Sequence, residues 1–175
     1  FNPHAPARIA RDLPDARFVI FLRDPVARAY SNYQMMVARE YETLSFAEAV
    51  EAESERLAGE WEKVLADPHY ISHPIRLFGY LARSRYADQL ERWFQHLPRG
   101  RTLVVRSEDA REDPAGAFRQ LTDFFEIEPF EPPSFKPPNK RTYDPLDPGL
   151  RAELAAEFAE PNRRLYDLLG RDMGW

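Results

Sequence analysis

Arg17-Phe18-Val19-Ile20-Phe21-Leu22-Arg23-Asp24-Pro25-Val26-Ala27-Arg28-Ala29-Tyr30-Ser31 carries two secondary-structure elements back to back. Phe18 to Leu22 is an uninterrupted apolar run bounded by charge and proline, the pattern of a strand buried on both faces. It stops at Arg23-Asp24-Pro25. Asp24 has a side chain suited to an N-cap, and Pro25 lacks the N–H that a first helical residue leaves unpaired. The chain therefore passes from a buried strand into a helix over about 25–39. In open α/β sheets ligands bind where strands end and helices begin. Arg23 stands at that edge, where a guanidinium grips an anion with two parallel hydrogen bonds. Ser31, two turns into the helix, offers a hydroxyl to the same anion. The plainer alternative is that Arg23 is a solvated charge or pairs with Asp24.

The chain of 175 residues is long enough for one domain with a real core. A net charge of −5 excludes a general nucleic-acid binder, which is basic. An anion site must then come from local clustering of cations. Of 24 basic residues only Lys63, Lys136 and Lys140 are lysines, a bias that suits bidentate anion clamps and fits genome composition equally well. There is no cysteine, which rules out disulfides and thiolate chemistry within the chain and is compatible with a reducing cytoplasm. No apolar run approaches the ~20 residues that span a bilayer. The expectation is a bacterial, cytoplasmic protein. The chain begins at Phe1 rather than Met, and a helix leading into a buried strand is the second half of a βαβ unit, so it is expected to open in mid-fold.

Ala5 to Leu13 has a weak helical period, stopped at Leu13-Pro14-Asp15. Phe46, Val50, Leu57, Trp61 and Val64 predict an amphipathic segment over 45–66. Ser45 and Glu48 form a capping-box pattern. Glu42, Glu48, Glu51, Glu53 and Glu55 are read as its solvated acidic face. The stretch 67–74 reads as a loop. His69 and His73 have helical metal-ligand spacing, but Pro68, Pro74 and the lack of a nearby third ligand argue against a metal. Leu77, Phe78, Leu81, Leu90, Trp93, Phe94 and Leu97 predict one or two helices with a junction at Ser84-Arg85-Tyr86. Thr102 to Arg106 predicts a second buried strand with Ser107-Glu108-Asp109 at its ligand-facing exit. Asp113-Pro114 caps a helix carrying Phe118, Leu121, Phe124 and Phe125. Seven prolines between Pro129 and Pro148 predict an extended loop. Within it lies Asn139-Lys140-Arg141-Thr142-Tyr143, two cations, a hydroxyl and an aromatic, suited to lie across a nucleotide or to a solvated surface. A last helix is expected from Gly149 to Leu169, interrupted near Pro161.

These pieces, in this order, resemble the sulfotransferase family, and most closely the branch of heparan sulfate glucosaminyl sulfotransferases and bacterial relatives. Leu22-Arg23-Asp24-Pro25 followed by Arg28-Ala29-Tyr30-Ser31 resembles the family's 3′-phosphate motif. Tyr86-Ala87-Asp88-Gln89-Leu90-Glu91-Arg92-Trp93 resembles the helix before its later strand. Val105 to Pro114 fits the strand exit that follows. Asn139 to Tyr143 falls where that branch carries a loop over the nucleotide: Arg141 and Thr142 match it, while Asn139, Lys140 and Tyr143 depart from it. Asp172-Met173-Gly174-Trp175 resembles that branch's ending.

The resemblance implies an α/β fold of the P-loop NTPase-like type, a parallel sheet flanked by helices and incomplete at the N-terminus, with residues 1–175 as the C-terminal portion of one sulfotransferase domain. It implies sulfuryl transfer from 3′-phosphoadenosine 5′-phosphosulfate to a hydroxyl or amine acceptor, a small molecule or glycan, without metal, nucleic acid or a membrane segment. Arg23 and Ser31 would hold the 3′-phosphate; Lys140, Arg141, Thr142 and Tyr143 would close over the nucleotide. The 5′-phosphosulfate loop and the catalytic base are expected upstream of Phe1; Glu108 and His69 are available as bases but nothing selects either. Trp61, Tyr70 and Tyr86 suit sugar stacking or, more simply, core packing. A non-catalytic nucleotide-binding remnant and another α/β transferase such as a kinase stay open.

Overall fold

The computed structural model describes residues 2–128, 130, 132, 134 and 143–175. Two strands, β1 (Phe18–Leu22) and β2 (Thr102–Arg106), pair in parallel with Leu22 opposite Arg106. Both therefore end at the same edge of the sheet. Strand β1 is less covered than its apolar run suggests. Leu22 is buried, but Phe21 is 52% exposed, and Phe18, Val19 and Ile20 are only partly covered.

Helix α1 (Ala5–Asp12) precedes β1, and α2 (Pro25–Val37) follows it at once. Asp24 caps α2 by accepting the Ala27 N–H at 2.7 Å, with Pro25 at its first position. Val26, Ala29, Asn32 and Met36 line its buried face, the three- and four-residue spacing of an inward stripe.

The segment over 45–66 is three short helices rather than one: α3 (Phe46–Glu51), α4 (Glu53–Arg56) and α5 (Glu60–Ala66). Gly59, at φ 72°, turns the chain between the last two, a left-handed conformation open to glycine at no steric cost. The capping box of Ser45 and Glu48 is formed. The acidic face is not uniformly solvated. Glu42 and Glu53 are 3% and 6% exposed because each has found donors. Glu42 accepts from Arg56 at 2.5 and 3.2 Å, from the Thr43 and Leu44 amides, and from Tyr80 Oη at 2.9 Å. Glu53 accepts from the Leu81 and Ala82 amides, both at 2.7 Å. Buried carboxylates persist when their oxygens are paired in this way.

The loop after α5 ends sooner than its prolines suggest. Ser72 caps α6 (His73–Phe78) by accepting from the Ile75 N–H at 3.1 Å, so His73 is helical and Pro74 sits in the first turn, where it is tolerated. A 3-10 turn at Ala82–Ser84 leads into α7 (Tyr86–Phe94), with the junction where it was expected. After β2 the chain enters α8 (Ser107–Glu112) directly, then α9 (Pro114–Phe125), where Asp113 accepts from the Gly116 N–H at 2.8 Å.

Helix α10 (Pro148–Leu169) runs on through Pro161. The proline removes one donor and crowds the carbonyl four residues back, yet Leu154, Phe158 and Leu165 on either side are buried and hold the helix on course. α10 packs across both halves of the core. Leu154 and Phe158 join α2, α3 and Tyr80; Leu165 joins Leu22, Tyr86 and Leu90. Arg164 ties α10 to α7 through Asp88 and Glu91. Trp61 and Tyr70 pack against Leu57, Val64 and Ile75, which is core work.

Candidate functional site

The parallel register brings Arg23 and Asp24, after β1, beside Arg106, the last residue of β2, and Ser107 and Glu108, which follow it. Asp24 is fully committed: Oδ1 caps α2 and Oδ2 pairs with Arg151 of α10 at 2.7 Å. It therefore does not neutralise Arg23. The half-buried Arg23 guanidinium makes no hydrogen bond or ion pair with any described residue, while its backbone carbonyl accepts from Tyr86 Oη at 3.0 Å.

Ser31 is half-buried and likewise has no hydrogen-bond partner among the described residues. At 100° per residue, seven positions return it to within about 20° of Asp24 around the helix axis. It lies on the face of α2 that begins at the strand ends, opposite the buried Ala29. Arg28, between them, is spoken for. Its Nε donates to Ser84 Oγ and its Nη2 to the Tyr80 carbonyl, both at 2.6 Å. Burial lowers its pKa to about 10, with the Arg23 charge acting in the same direction. It remains a cation at neutral pH and adds positive field to the site, with Nε and Nη2 already engaged.

Glu108 Oε1 accepts the Asp24 N–H at 3.0 Å. Its Oε2 is sealed from solvent without a hydrogen bond, 3.6 Å from Arg106 Nε, which is sealed likewise. Arg106 pairs in addition with Asp109 at 2.8 Å. Both carboxylates at the strand ends thus hold protein groups. His69 is exposed on the loop before α6.

Tyr143 reaches the same helix from the other side. Its ring meets Tyr30 edge-on at 5.5 Å, and Tyr30 Oη donates to the Asp144 carbonyl at 2.8 Å. The proline-rich stretch is therefore anchored at Tyr143 and Asp144, one residue from Ser31. Lys140, Arg141 and Thr142 lie outside the described residues. No group of three or more His, Asp or Glu side chains that could hold a metal occurs among the described residues. No described helix is long and apolar enough to cross a membrane.

Glu108 stands at the exit of β2, as the sequence led one to expect, but its bond to Asp24 and the bond of Tyr86 to Arg23 come only from the fold. Tyr86 lies 63 residues from Arg23 and Glu108 lies 84 from Asp24, so no local pattern announces either contact.

A family model described as the sulfotransferase family matches residues 1–132. The chain belongs to the sulfotransferase family. A sulfotransferase from Alicyclobacillus acidocaldarius has a similar structure, with a TM-score of 0.73 and 33% identity, over 97% of this chain and 61% of that one. The α/β fold class read from the sequence agrees with this likeness. Among curated sulfotransferases, membrane-associated sulfotransferase kil1 of Dictyostelium discoideum is 35% identical over 107 residues, 61% of this chain and 22% of its own. Heparan sulfate glucosamine 3-O-sulfotransferase 3B1 of Mus musculus is 27% identical over 98% of this chain and 46% of its own. The chain thus spans less than half the length of these curated sulfotransferases.

Proposed function

We propose that this chain is the part of a sulfotransferase that holds the donor nucleotide, 3′-phosphoadenosine 5′-phosphosulfate, by its 3′-phosphate. The observation that carries the reading is Arg23: a half-buried guanidinium at the shared end of two parallel strands, without a partner among the described residues. Ser31 on the facing side of α2 supplies a hydroxyl to the same phosphate. A dianion with several acceptor oxygens satisfies both groups, and charge-assisted bonds of this kind are the strong ones. Lys140, Arg141 and Thr142 are proposed to cover the nucleotide, and the docking of Tyr143 against α2 beside Ser31 supports that position for the segment.

Sulfuryl transfer, like phosphoryl transfer, relies on in-line positioning and on cations that meet charge developing on the leaving oxygen. The residues named here bind and orient. Asp24 and Glu108 are engaged in holding the turn, so neither is proposed as the base that takes the acceptor's proton. The acceptor is proposed to be a glycan hydroxyl or amine, a reading supported by the similarity to glucosamine sulfotransferases. A cytoplasmic location belongs to the proposal too, and the cysteine-free composition fits it.

The test is calorimetric titration of the chain and its Arg23→Ala variant with adenosine 3′,5′-bisphosphate and with 5′-AMP. Arg23→Ala should weaken the bisphosphate by about 1.5–3 kcal/mol, the worth of a hydrogen bond to a charged group, and leave 5′-AMP nearly unchanged. Equal losses for the two ligands would overturn the assignment.

A further inference from the structure

The peptide unit joining Arg23 to Asp24 is held from both sides. Tyr86 Oη donates to its carbonyl oxygen at 3.0 Å, and Glu108 Oε1 accepts from its N–H at 3.0 Å. A peptide unit is planar and rigid, so gripping both of its polar ends fixes the last torsion of Arg23 and the first of Asp24 together. The two grips come from separate elements, α7 and α8. The α2 cap does not explain them. Asp24 needs only its side chain to satisfy the Ala27 N–H, and the N–H of an N-cap residue lies outside the helical ladder.

The setting of each group is unusual for mere packing. Tyr86 is 8% exposed, stands 6.1 Å from the Trp175 ring, and spends its only donor on Arg23. Burial raises its pKa to about 12, so the hydroxyl keeps its proton. Glu108 brings a carboxylate, with one oxygen sealed from solvent and without a hydrogen bond, next to a cluster that otherwise favours anions. Such a group is costly to desolvate; Arg106 Nε stands 3.6 Å from the sealed oxygen, and the carboxylate's one hydrogen bond is to the Asp24 amide.

We propose that Tyr86 and Glu108 are positioning residues that clamp the Arg23–Asp24 peptide and thereby aim the Arg23 side chain at a nucleotide 3′-phosphate. This inference rests on the proposed role of Arg23. An arginine has many rotamers and loses side-chain entropy when it binds; fixing its backbone narrows the directions open to it before ligand arrives. The clamp therefore bears on the 3′-phosphate and not on the rest of the nucleotide.

The experiment uses the full chain and reads the ratio of dissociation constants for 5′-AMP and adenosine 3′,5′-bisphosphate, with thermal unfolding recorded alongside. Tyr86→Phe removes one hydroxyl and keeps the buried ring. Glu108→Ala removes the other grip independently. Asp109→Ala is the control, because Asp109 also pairs with Arg106 but does not touch the clamped peptide. Tyr86→Phe should lower the ratio about 3- to 10-fold against the unaltered chain, the range that one hydrogen bond spans; Glu108→Ala should do so against Glu108→Gln, which removes the same charge but keeps an oxygen to accept the Asp24 N–H; and Asp109→Ala should match Asp109→Asn. A lower melting temperature is expected in either case, because each clamp variant loses a hydrogen bond; a purely structural role weakens both ligands in parallel, so an unchanged ratio in the two clamp variants overturns the inference, as does an equal fall in Asp109→Ala. If Arg23→Ala itself leaves the ratio unchanged, the phosphate reading fails and the clamp with it.

Discussion

Tyr80 donates its hydroxyl to Glu42 at 2.9 Å across 38 residues of sequence, and Tyr80 is fully buried. The pair closes a network in which Glu42 also receives Arg56 and two backbone amides. Burial alone would raise the Glu42 pKa. The Arg56 guanidinium, the Leu44 amide and the Tyr80 hydroxyl overcome it and bring the carboxyl down to about 2, from an ordinary 4.5. The unfolded chain then takes up the proton first, so the stabilisation is whole above about pH 4.5 and is lost as pH falls toward 2. Glu42→Gln should cost roughly 3 kcal/mol at pH 7, measured by urea unfolding, and the gap should narrow at pH 2.5. Glu60, held by Lys63, Ser72 and Tyr70 and also lowered to about 2, keeps part of the acid slope in the variant. Glu53, raised by burial, works against that slope: its contribution is lost as pH rises past 4.5. A gap that widens on acidification would contradict the assignment to Glu42.

Arg28 is the other buried polar joint. Its guanidinium bridges Ser84 and the Tyr80 carbonyl, so α2 and the turn before α7 share one cation. Arg28→Ala takes one donor from each acceptor and leaves them only the Ser84 hydroxyl, which is shared between the Tyr80 and Pro25 carbonyls. The expected loss is about 2–4 kcal/mol, read as a lower urea midpoint at unchanged slope. Arg28→Lys reaches one acceptor at a time and should recover only part of it.

Two glycines separate backbone strain from crowding. Gly59 has φ 72° and open space where a Cβ would stand. Gly59→Ala should cost about 1 kcal/mol, the left-handed penalty alone. At Gly79 φ is ordinary, but a Cβ would lie 2.6 Å from the Ile75 carbonyl oxygen. That oxygen belongs to the backbone of α6 and yields only if the helix end shifts. Gly79→Ala should therefore be the more damaging substitution in a thermal melt, although a local view of the backbone ranks them the other way.

These joints also mark how far a sequence reading reaches. Features made within four residues were legible: the Asp24-Pro25 and Asp113-Pro114 helix starts and the Ser45/Glu48 box. Both strands were legible from apolar runs between breakers. The three-way division of 45–66 was not, because Phe46, Val50, Leu57, Trp61 and Val64 keep a helical rhythm across the break at Gly59. The burial of Glu42 and Glu53 was not, because their donors, Arg56, Tyr80, Leu81 and Ala82, come from elements brought together only by folding. At the site, position at the strand end singled out Arg23 and helical spacing singled out Ser31. The grip of Tyr86 and Glu108 on the turn between them depends on contacts that no periodicity encodes.

Asp24 offers a test in which stability and binding move in opposite directions. Its carboxylate caps α2, pairs with Arg151 and carries a negative charge one residue from Arg23. Asparagine caps as well as aspartate, and its amide can still meet the Ala27 N–H. Asp24→Asn therefore loses chiefly the partly exposed pair with Arg151, worth about 0–1 kcal/mol. It also removes a like charge from the neighbourhood of the proposed 3′-phosphate. Adenosine 3′,5′-bisphosphate should bind the variant several-fold more tightly at low salt, and the gain should shrink at high ionic strength as the interaction is screened. Asp24→Ala loses the cap as well, at a cost of about 1 kcal/mol, and frees the start of α2. Its affinity should fall below that of Asp24→Asn despite the same change in net charge. Tighter binding in Asp24→Ala than in Asp24→Asn would mean that charge alone governs the site and that the geometry of the turn does not matter.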